Sequence, residues 1–492
     1  MNLQDLFKSI DLLDNPTIYD IDVTGVSYHS QKVSKGNLFV CVKGYSTDGH
    51  QFLADAVANG AEVAVVEEIQ DHIDIPQFRV GNSRKALAQL GAEFYGHPSR
   101  KMQMIGITAT NGKTTTSYMA NAILEQEGLK TGLIGTVNIK NGEKSIPSEL
   151  TTPESLDLQY HLQQMVENDV SHVTMEASSA ALEMYRVESV DYDIVTLNNI
   201  SEEHIDTHGS FEKYFAAKSS LITSASKDSY AVLNLDDEYS ASLIDQTQAT
   251  VISFGVNNKE GHTYCKDLDL STGRARFTFV IQKGFQANGK VYQPEEFDIE
   301  LSVPGLHSVY NSMVAIVIGL LSGVSIPNIQ RAMKEFKGVP RRFEFIYEDR
   351  FKIVDDHFAN PGNIQVTLET LTEMQFSNLH LVYAIRGQRG PEINRDNAEI
   401  IAEWAAKLNL KEIIATKSVS NTTSKDKVTE EELDAFLQVM DKAGINVKLY
   451  DELPDSIDES IGRARKDDVI LLAGCQGMDD ASGIVQEKLG SQ

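Results

Sequence analysis

The sequence predicts an α/β protein of three domains: a small N-terminal α/β domain, a central α/β domain with a mostly parallel sheet and a phosphate-binding P-loop, and a C-terminal Rossmann-like α/β domain. Three observations lead there. A chain of 492 residues is too long for one core and suggests roughly three domains at ~150 residues each. Short apolar runs alternate with helical patterns along most of it, as in a succession of βα units. The apolar stretch Met102–Ile107 leads into the turn Thr108–Gly112 and a Lys113-Thr114 pair that opens a helix, the layout of a phosphate cradle. The expected boundaries are 1–100, 101–338 and 339–492.

In the first domain, apolar runs at Leu38–Val42 and Val63–Val66 read as strands and Arg84–Tyr95 as a helix, while Ser30–Val40 and Gly44–Phe52 supply turns around a buried strand. In the second, the helix Thr114–Gln126 turns its free N–H groups and positive dipole end toward the loop, so an anion belongs there. Lys113 is placed to neutralise β- and γ-phosphate oxygens, and the Thr114 hydroxyl is the usual Mg²⁺ ligand of such a loop. The strict loop pattern wants glycine where this chain has Ile107. Downstream, Thr131–Thr136 reads as strand and turn, and Thr151-Thr152-Pro153-Glu154 as a loop opening a helix. Glu176, ending the buried run Val173–Glu176, is the expected second support for the metal ion; the alternative is an acid at a helix start. After a strand at Tyr192–Asn198 come His204, Asp206 and His208, a metal site or a polar solvated loop. Strands then continue at Ala231–Leu235, Arg276–Ile281 and Glu296–Val303, followed by a long apolar helix ending at Leu321. The last domain alternates strands at Leu379–Tyr383, Glu412–Ala415 and Val469–Leu472 with helices such as Ile393–Leu408.

Composition narrows the function classes. A formal charge of −27 argues against binding nucleic acid through its phosphates. No segment is long and apolar enough to span a bilayer, and Met1–Ile10, with Asp5 and Lys8, does not resemble a signal peptide. Cys41, Cys265 and Cys475 lie far apart and fit neither a disulfide framework nor a Cys-x-x-Cys metal site, which points to a reducing cytoplasm and buried thiols.

Taken together and in order, the run Thr108–Thr116, Thr151–Pro153, Met175–Ser179, Arg186, the His204/Asp206/His208-Gly209 loop and Ala216-Ala217-Lys218 resemble the Mur ligases, most of all their UDP-N-acetylmuramoyl-tripeptide synthetase branch. The run from Ser30 to Phe52 is similar to that branch's uridine-nucleotide-binding domain. The resemblance implies an ATP-dependent amide ligase: a carboxylate attacks the γ-phosphate to give an acyl phosphate, and an amine then displaces phosphate. It implies nucleotide binding by Thr110, Asn111, Gly112, Lys113, Thr114 and Thr115, with Asn311 facing the adenine, Arg342 the phosphates and Asp355 the ribose. It assigns Thr114 and Glu176 to one Mg²⁺ and His204 to a second. Lys218 would carry a CO₂-derived carbamate, an anionic oxygen pair where an ammonium group beside two cations is unfavourable. Ser30, Thr151, Thr152, Ser178 and Arg186 would hold a UDP-muramoyl-peptide-like carboxylate substrate, to be joined to an amino acid.

The chain also departs from that pattern. Ala109 stands where the loop usually has glycine, which matters if that backbone needs positive φ, and Ala180 where a histidine follows the Ser-Ser pair. In the last domain Asp355–Pro361 replaces a Tyr-Ala-His-Thr-Pro run, and Arg386–Gly390 a Gly-Asp-Arg-Asp run. The Asp-Asn-Pro-Arg-like motif that reads the incoming amino acid is missing from Thr416–Thr423. The sequence therefore leaves the amine open. It also leaves two other readings: an amide ligase of the poly-γ-glutamate or folyl-polyglutamate type, and a non-catalytic nucleotide-binding paralogue.

Overall fold

The computed structural model describes residues 1–14, 16–44, 47–201, 209–271 and 274–490. The chain divides into two compact units, one of Met1–Tyr264, Ile281–Pro294 and Met313–Ile329, the other of Cys265–Val280, Glu295–Ser312 and Gln330–Gln492.

Among the described residues the first unit contains two mainly parallel sheets and a two-stranded ribbon. Strands β1 (Gly25–Ser27), β2 (Asn37–Val40), β3 (Ala61–Val66) and β4 (Gln77–Arg79) pair in parallel, in chain order. Both faces are covered. Leu38, Val40, Val63 and Val65 belong to one apolar cluster, whereas Phe39, Cys41, Ala64 and Val66 belong to another. Period-two alternation thus produces near-continuous apolar runs when each face has its own layer.

The larger sheet is built from β5 (Gln103–Thr108), β6 (Thr131–Ile134), β7 (Asn138–Asn141), β8 (Lys144–Pro147), β9 (His172–Glu176), β10 (Ile194–Leu197), β11 (Tyr230–Asn234) and β12 (Thr250–Gly255). Its order is β12-β11-β10-β5-β9-β6-β7-β8. The strands from β12 to β6 are parallel, and β7 and β8 form an antiparallel edge. From β5 the chain runs one way to β6; after β9 it crosses β5 to reach β10. That reversal is a topological switch point at the C-terminal ends of β9, β5 and β10, the place where parallel sheets bind ligands. Close packing holds it together. A Cβ added at Gly106 would lie 2.7 Å from the Tyr192 ring, so β5 reaches its neighbours only because that side chain is missing.

In the second unit, β13 (Thr263–Asp269, whose first two residues belong to the first unit), β14 (Arg274–Ile281) and β17 (Glu295–Pro304) are neighbours in that order; the ribbon β15 (Phe285–Ala287) and β16 (Lys290–Tyr292) belongs to the first unit. The last sheet runs β18-β19-β23-β20-β21-β22, with β18 (Glu344–Glu348), β19 (Lys352–Asp356), β20 (Leu379–Ala384), β21 (Glu412–Thr416), β22 (Asn446–Tyr450) and β23 (Val469–Gly474). All but β18 are parallel. Val469, Leu471 and Ala473 pack into one cluster and Ile470 and Leu472 into the opposite one, so β23 is covered on both faces.

These strands fall within a few residues of the sequence reading, and the helix expected over Ile393–Leu408 is Pro391–Ala405. All three cysteines are buried. Gly106→Ala is expected to cost about 1–3 kcal/mol by overpacking, with most of the loss recovered in a Tyr192→Leu background. Urea denaturation of the single and double variants measures both.

Candidate active site

The turn after β5 reaches the helix Lys113–Gln126 through Gly112, whose φ of 87° is a left-handed conformation that glycine adopts without strain. Neighbouring strand ends lock this turn. Asn199 closes a ring around it, its Oδ1 accepting from the Asn111 N–H at 2.9 Å and its amide donating to the Asn111 carbonyl at 2.9 Å. The Thr110 N–H donates to the Asn199 carbonyl, and the Thr110 hydroxyl lies 2.9 Å from the Tyr214 hydroxyl. Lys113 folds back over the loop, donating to the carbonyls of Ala109 at 2.9 Å and Thr110 at 3.1 Å.

Glu176, fully buried at the end of β9, crosses to the loop helix. Its Oε2 accepts from the Thr114 hydroxyl at 2.9 Å and the Thr136 hydroxyl at 3.1 Å, and its Oε1 from the Thr136 N–H at 2.9 Å. A Cβ at Gly135 would lie 2.3 Å from Oε1, so glycine clears the space for the carboxylate. It ends a strand and is not a helix-start acid. The pair of hard oxygen donors, the Thr114 hydroxyl and the Glu176 carboxylate, suits Mg²⁺.

Beside it, the Thr152 hydroxyl donates to the Glu176 carbonyl at 2.8 Å and accepts from the Ser178 N–H at 3.2 Å. The Ser178 hydroxyl caps the helix Ser179–Glu183. Arg186 donates to the Thr152 carbonyl at 3.3 Å and pairs with Glu154 at 2.8 Å, which also meets Arg84 at 3.2 Å. The Thr151 hydroxyl lies 3.1 Å from that of Thr136. Lys218, on the helix Phe211–Thr223, is buried; its Nζ donates to the Ala109 carbonyl at 2.7 Å and lies 5.0 Å from the centre of the Tyr214 ring. The first unit therefore gathers Thr110–Thr114, Thr151, Thr152, Glu176, Ser178, Arg186 and Lys218. Ser30 lies in a one-turn helix following β1, where its carbonyl accepts from Asn59 at 3.0 Å. His204, Asp206 and His208 lie outside the described residues.

In the second unit, Asn311 is buried inside the helix Leu306–Leu321. Asp355 is fully buried and pairs with Arg341 at 3.3 Å. Arg341 also donates to the Cys475 carbonyl at 3.1 Å and pairs with Asp479. Burial raises Asp355 to about 7 despite this partner. Arg342 follows on the chain but makes no hydrogen bond through its side chain and no ion pair among the described residues. Burial, with Arg342, Arg341 and Arg386, lowers His357 to about 3.

Three family models match in succession: Mur ligase family, catalytic domain, over residues 22–95; Mur ligase middle domain, over 107–319; and Mur ligase, glutamate ligase domain, over 341–476. A UDP-N-acetylmuramoyl-L-alanyl-D-glutamate--2,6-diaminopimelate ligase of Caldanaerobacter subterraneus subsp. tengcongensis is 33% identical over 478 residues, covering 96% of this chain and 94% of its own. The enzyme of the same name from Bacillus velezensis is 35% identical over 466 residues, 93% and 90% of the two. The chain belongs to the Mur ligase family. A solved diaminopimelate ligase structure shares its fold with a TM-score of 0.71 at 21% identity over the whole of both chains. Mycobacterium tuberculosis folylpolyglutamate synthase does so at 0.61 and 16% identity, over 83% of this chain and 96% of its own.

This Mur ligase is an enzyme that forms amide bonds at the expense of ATP, with the three-domain α/β architecture expected. Its central departure from the family pattern is accommodated: Ala109 does not take positive φ, which within Thr108–Gly112 occurs at Gly112 alone. Ala180 sits in the first turn of the short helix after Ser178. Sequence reasoning missed Asn199, Thr136 and Tyr214 as site residues, although Asn199 lay in the Asn-Asn pair ending a strand and Tyr214 just upstream of Lys218. It also passed over Arg341, whose partners are visible only once β19 and β23 are adjacent.

Two outcomes test this geometry. Gly135→Ala is expected to weaken binding of Mg²⁺ and a non-hydrolysable ATP analogue by about 10–100-fold, measured by calorimetry, with the melting temperature monitored alongside. His357 is neutral in the folded protein, and its unfolded value is near 6.5. Between 6.5 and about 3 the unfolded chain binds the extra proton, so stability falls as pH falls, by about 1.4 kcal/mol per pH unit. Denaturant titrations of wild type and His357→Asn between pH 7 and 5 should show the wild type losing more.

Proposed function

We propose that this Mur ligase activates the carboxylate of a UDP-N-acetylmuramoyl peptide as an acyl phosphate and joins it to the amine of an amino acid, releasing ADP and phosphate. The observation that carries the reading is the convergence, at the C-terminal strand ends, of a phosphate loop, a carboxylate–threonine pair and the Thr152–Ser178–Arg186 cluster. The relatives, named for a UDP-N-acetylmuramoyl-dipeptide substrate, favour a muramoyl acceptor over a poly-γ-glutamate or folyl-polyglutamate one.

Each residue has a physical task. The loop amides, the end of the helix Lys113–Gln126 and Lys113 bind and orient the β- and γ-phosphates, because phosphoryl transfer is catalysed mainly by positioning and charge neutralisation. ATP binding frees Lys113 from the loop carbonyls it now holds. Thr114 and Glu176 would hold the nucleotide's Mg²⁺ and His204 a second ion; these ions supply electrostatic stabilisation of charge on the transferring group. A carbamate on Lys218 would add an anionic ligand. Thr151, Thr152, Ser178 and Arg186 orient the carboxylate substrate, and Ser30 serves its uridine nucleotide. Asn311, Arg342 and Asp355 serve ATP. We place the domain boundaries near residues 100 and 338, and the activity in the cytoplasm. No helix among the described residues is long and apolar enough to cross a membrane.

The test is ATP-dependent phosphate release with Mg²⁺ and bicarbonate, offering UDP-muramoyl dipeptide and tripeptide against a panel of L- and D-amino acids and following product mass. Turnover should require one acceptor and one amino acid together, and fall by at least about a thousandfold in Lys113→Ala. Nucleotide binding without product on either acceptor would remove the muramoyl assignment.

A further inference from the structure

The loop that follows β20 differs from the run expected of this family, and its wiring is distinctive. Asn394, buried on the helix Pro391–Ala405, clasps the Arg386 backbone: its Oδ1 accepts from the Arg386 N–H at 3.2 Å and its amide donates to the Arg386 carbonyl at 2.8 Å. The Glu432 carboxylate occupies the amides just beyond, accepting from Gln388 at 3.1 Å and from Arg389 and Gly390 at 2.8 Å each. That helix end is already filled by an internal anion. The backbone at Arg386 is consequently fixed before any ligand arrives.

The Arg386 guanidinium is less completely matched. One nitrogen donates to the Ala359 carbonyl, but Nε is buried and has no partner among the described residues. Neither Arg386 nor Arg342 forms an ion pair among the described residues, and both act electrostatically on His357. The carboxylates around them are engaged elsewhere. Asp355 and Asp479 pair with Arg341, and Asp356 accepts from Thr367 and from the Phe343 N–H. Glu344 accepts from the Arg341 N–H. In a chain of net charge −27, Arg386 and Arg342 thus have no direct ion pair among the described residues, Arg342 acting on the buried Asp356 only electrostatically. A buried, unmatched N–H costs free energy that an incoming acceptor recovers.

We propose that Arg386, together with Arg342 and the ring of His357, binds a substrate oxyanion: the carboxylate of the incoming amino acid or a phosphate of the nucleotide. This rests on the ligase reading above and adds to it a residue, Arg386, with a stated ligand chemistry. Arg386 would then define part of the amine or nucleotide site in place of the missing Asp-Asn-Pro-Arg-like motif.

The test reads the site locally and does not need turnover. Full-length protein with ¹³C-labelled histidine is titrated with inorganic phosphate, following the His357 ring resonance, assigned by its loss in His357→Gln. Phosphate should shift it saturably where chloride at equal ionic strength does not. Arg386→Gln should raise the midpoint about tenfold or more, and Arg386→Lys should restore part of the affinity. If Arg386→Gln does not fold, Arg342→Gln is expected to give the same shift in midpoint. Titration with Mg²⁺ and a non-hydrolysable ATP analogue, or with the amino-acid panel, then identifies the source of the oxyanion. A His357 signal that ignores phosphate in the wild type, or responds equally in Arg386→Gln, overturns the proposal. If Arg386→Gln loses phosphate while no acceptor supports turnover in wild type, the anion site stands and the muramoyl reading falls. Normal turnover with an unaltered phosphate response has the opposite meaning.

Discussion

The hydrogen bond between the Thr114 hydroxyl and Glu176 Oε2 joins the first turn of the phosphate-loop helix to the end of β9. A fully buried carboxylate is tolerated only when its oxygens are satisfied, and Thr114 with the Thr136 hydroxyl and N–H provides that satisfaction. The requirement propagates outward. Gly135 must lack a side chain to admit the carboxylate, and the carbonyl of the same Glu176 fixes Thr152, which in turn positions Ser178 and Arg186. The loop, the Thr114–Glu176 pair and the Thr152–Ser178–Arg186 cluster are therefore parts of one hydrogen-bonded structure built on adjacent parallel strands.

A second constraint is the crowding of basic groups against the loop carbonyls. Lys113 and Lys218 both donate to the Ala109 carbonyl. Like charges directed at one acceptor repel, and the two ammonium groups are held there by further partners, Lys113 by the Thr110 carbonyl at 3.1 Å and Lys218 by the Thr108 hydroxyl at 3.5 Å.

Much of this was legible beforehand. Parallel strands covered on both faces read as continuous apolar runs, so β5, β9, β10 and β23 were visible in sequence, and Lys113, Thr114 and Glu176 followed from loop chemistry placed on them. What escaped were contacts that depend on strand order. Asn199 and Thr136 act because β10 and β6 end close to the loop, and a list of strands does not give their arrangement. Arg341 and Arg342 are adjacent in sequence, yet the buried ion pair belongs to Arg341. Glu432 is the capping-box acid of the helix Glu430–Lys442, and its grip on Gln388–Gly390 depends on how that helix packs against Pro391–Ala405.

The central claim is that Thr114 and Glu176 act as a unit in nucleotide binding, and a double-mutant cycle addresses it most directly. The affinity for a non-hydrolysable ATP analogue with saturating Mg²⁺ is measured by calorimetry for wild type, Thr114→Val, Glu176→Gln and the double variant. The two residues as one unit predict that each single change loses about 10–100-fold and that the double loses little more than the worse single. Losses that multiply in the double variant, or a Glu176→Gln protein that binds Mg²⁺ and nucleotide as the wild type does, would contradict the account.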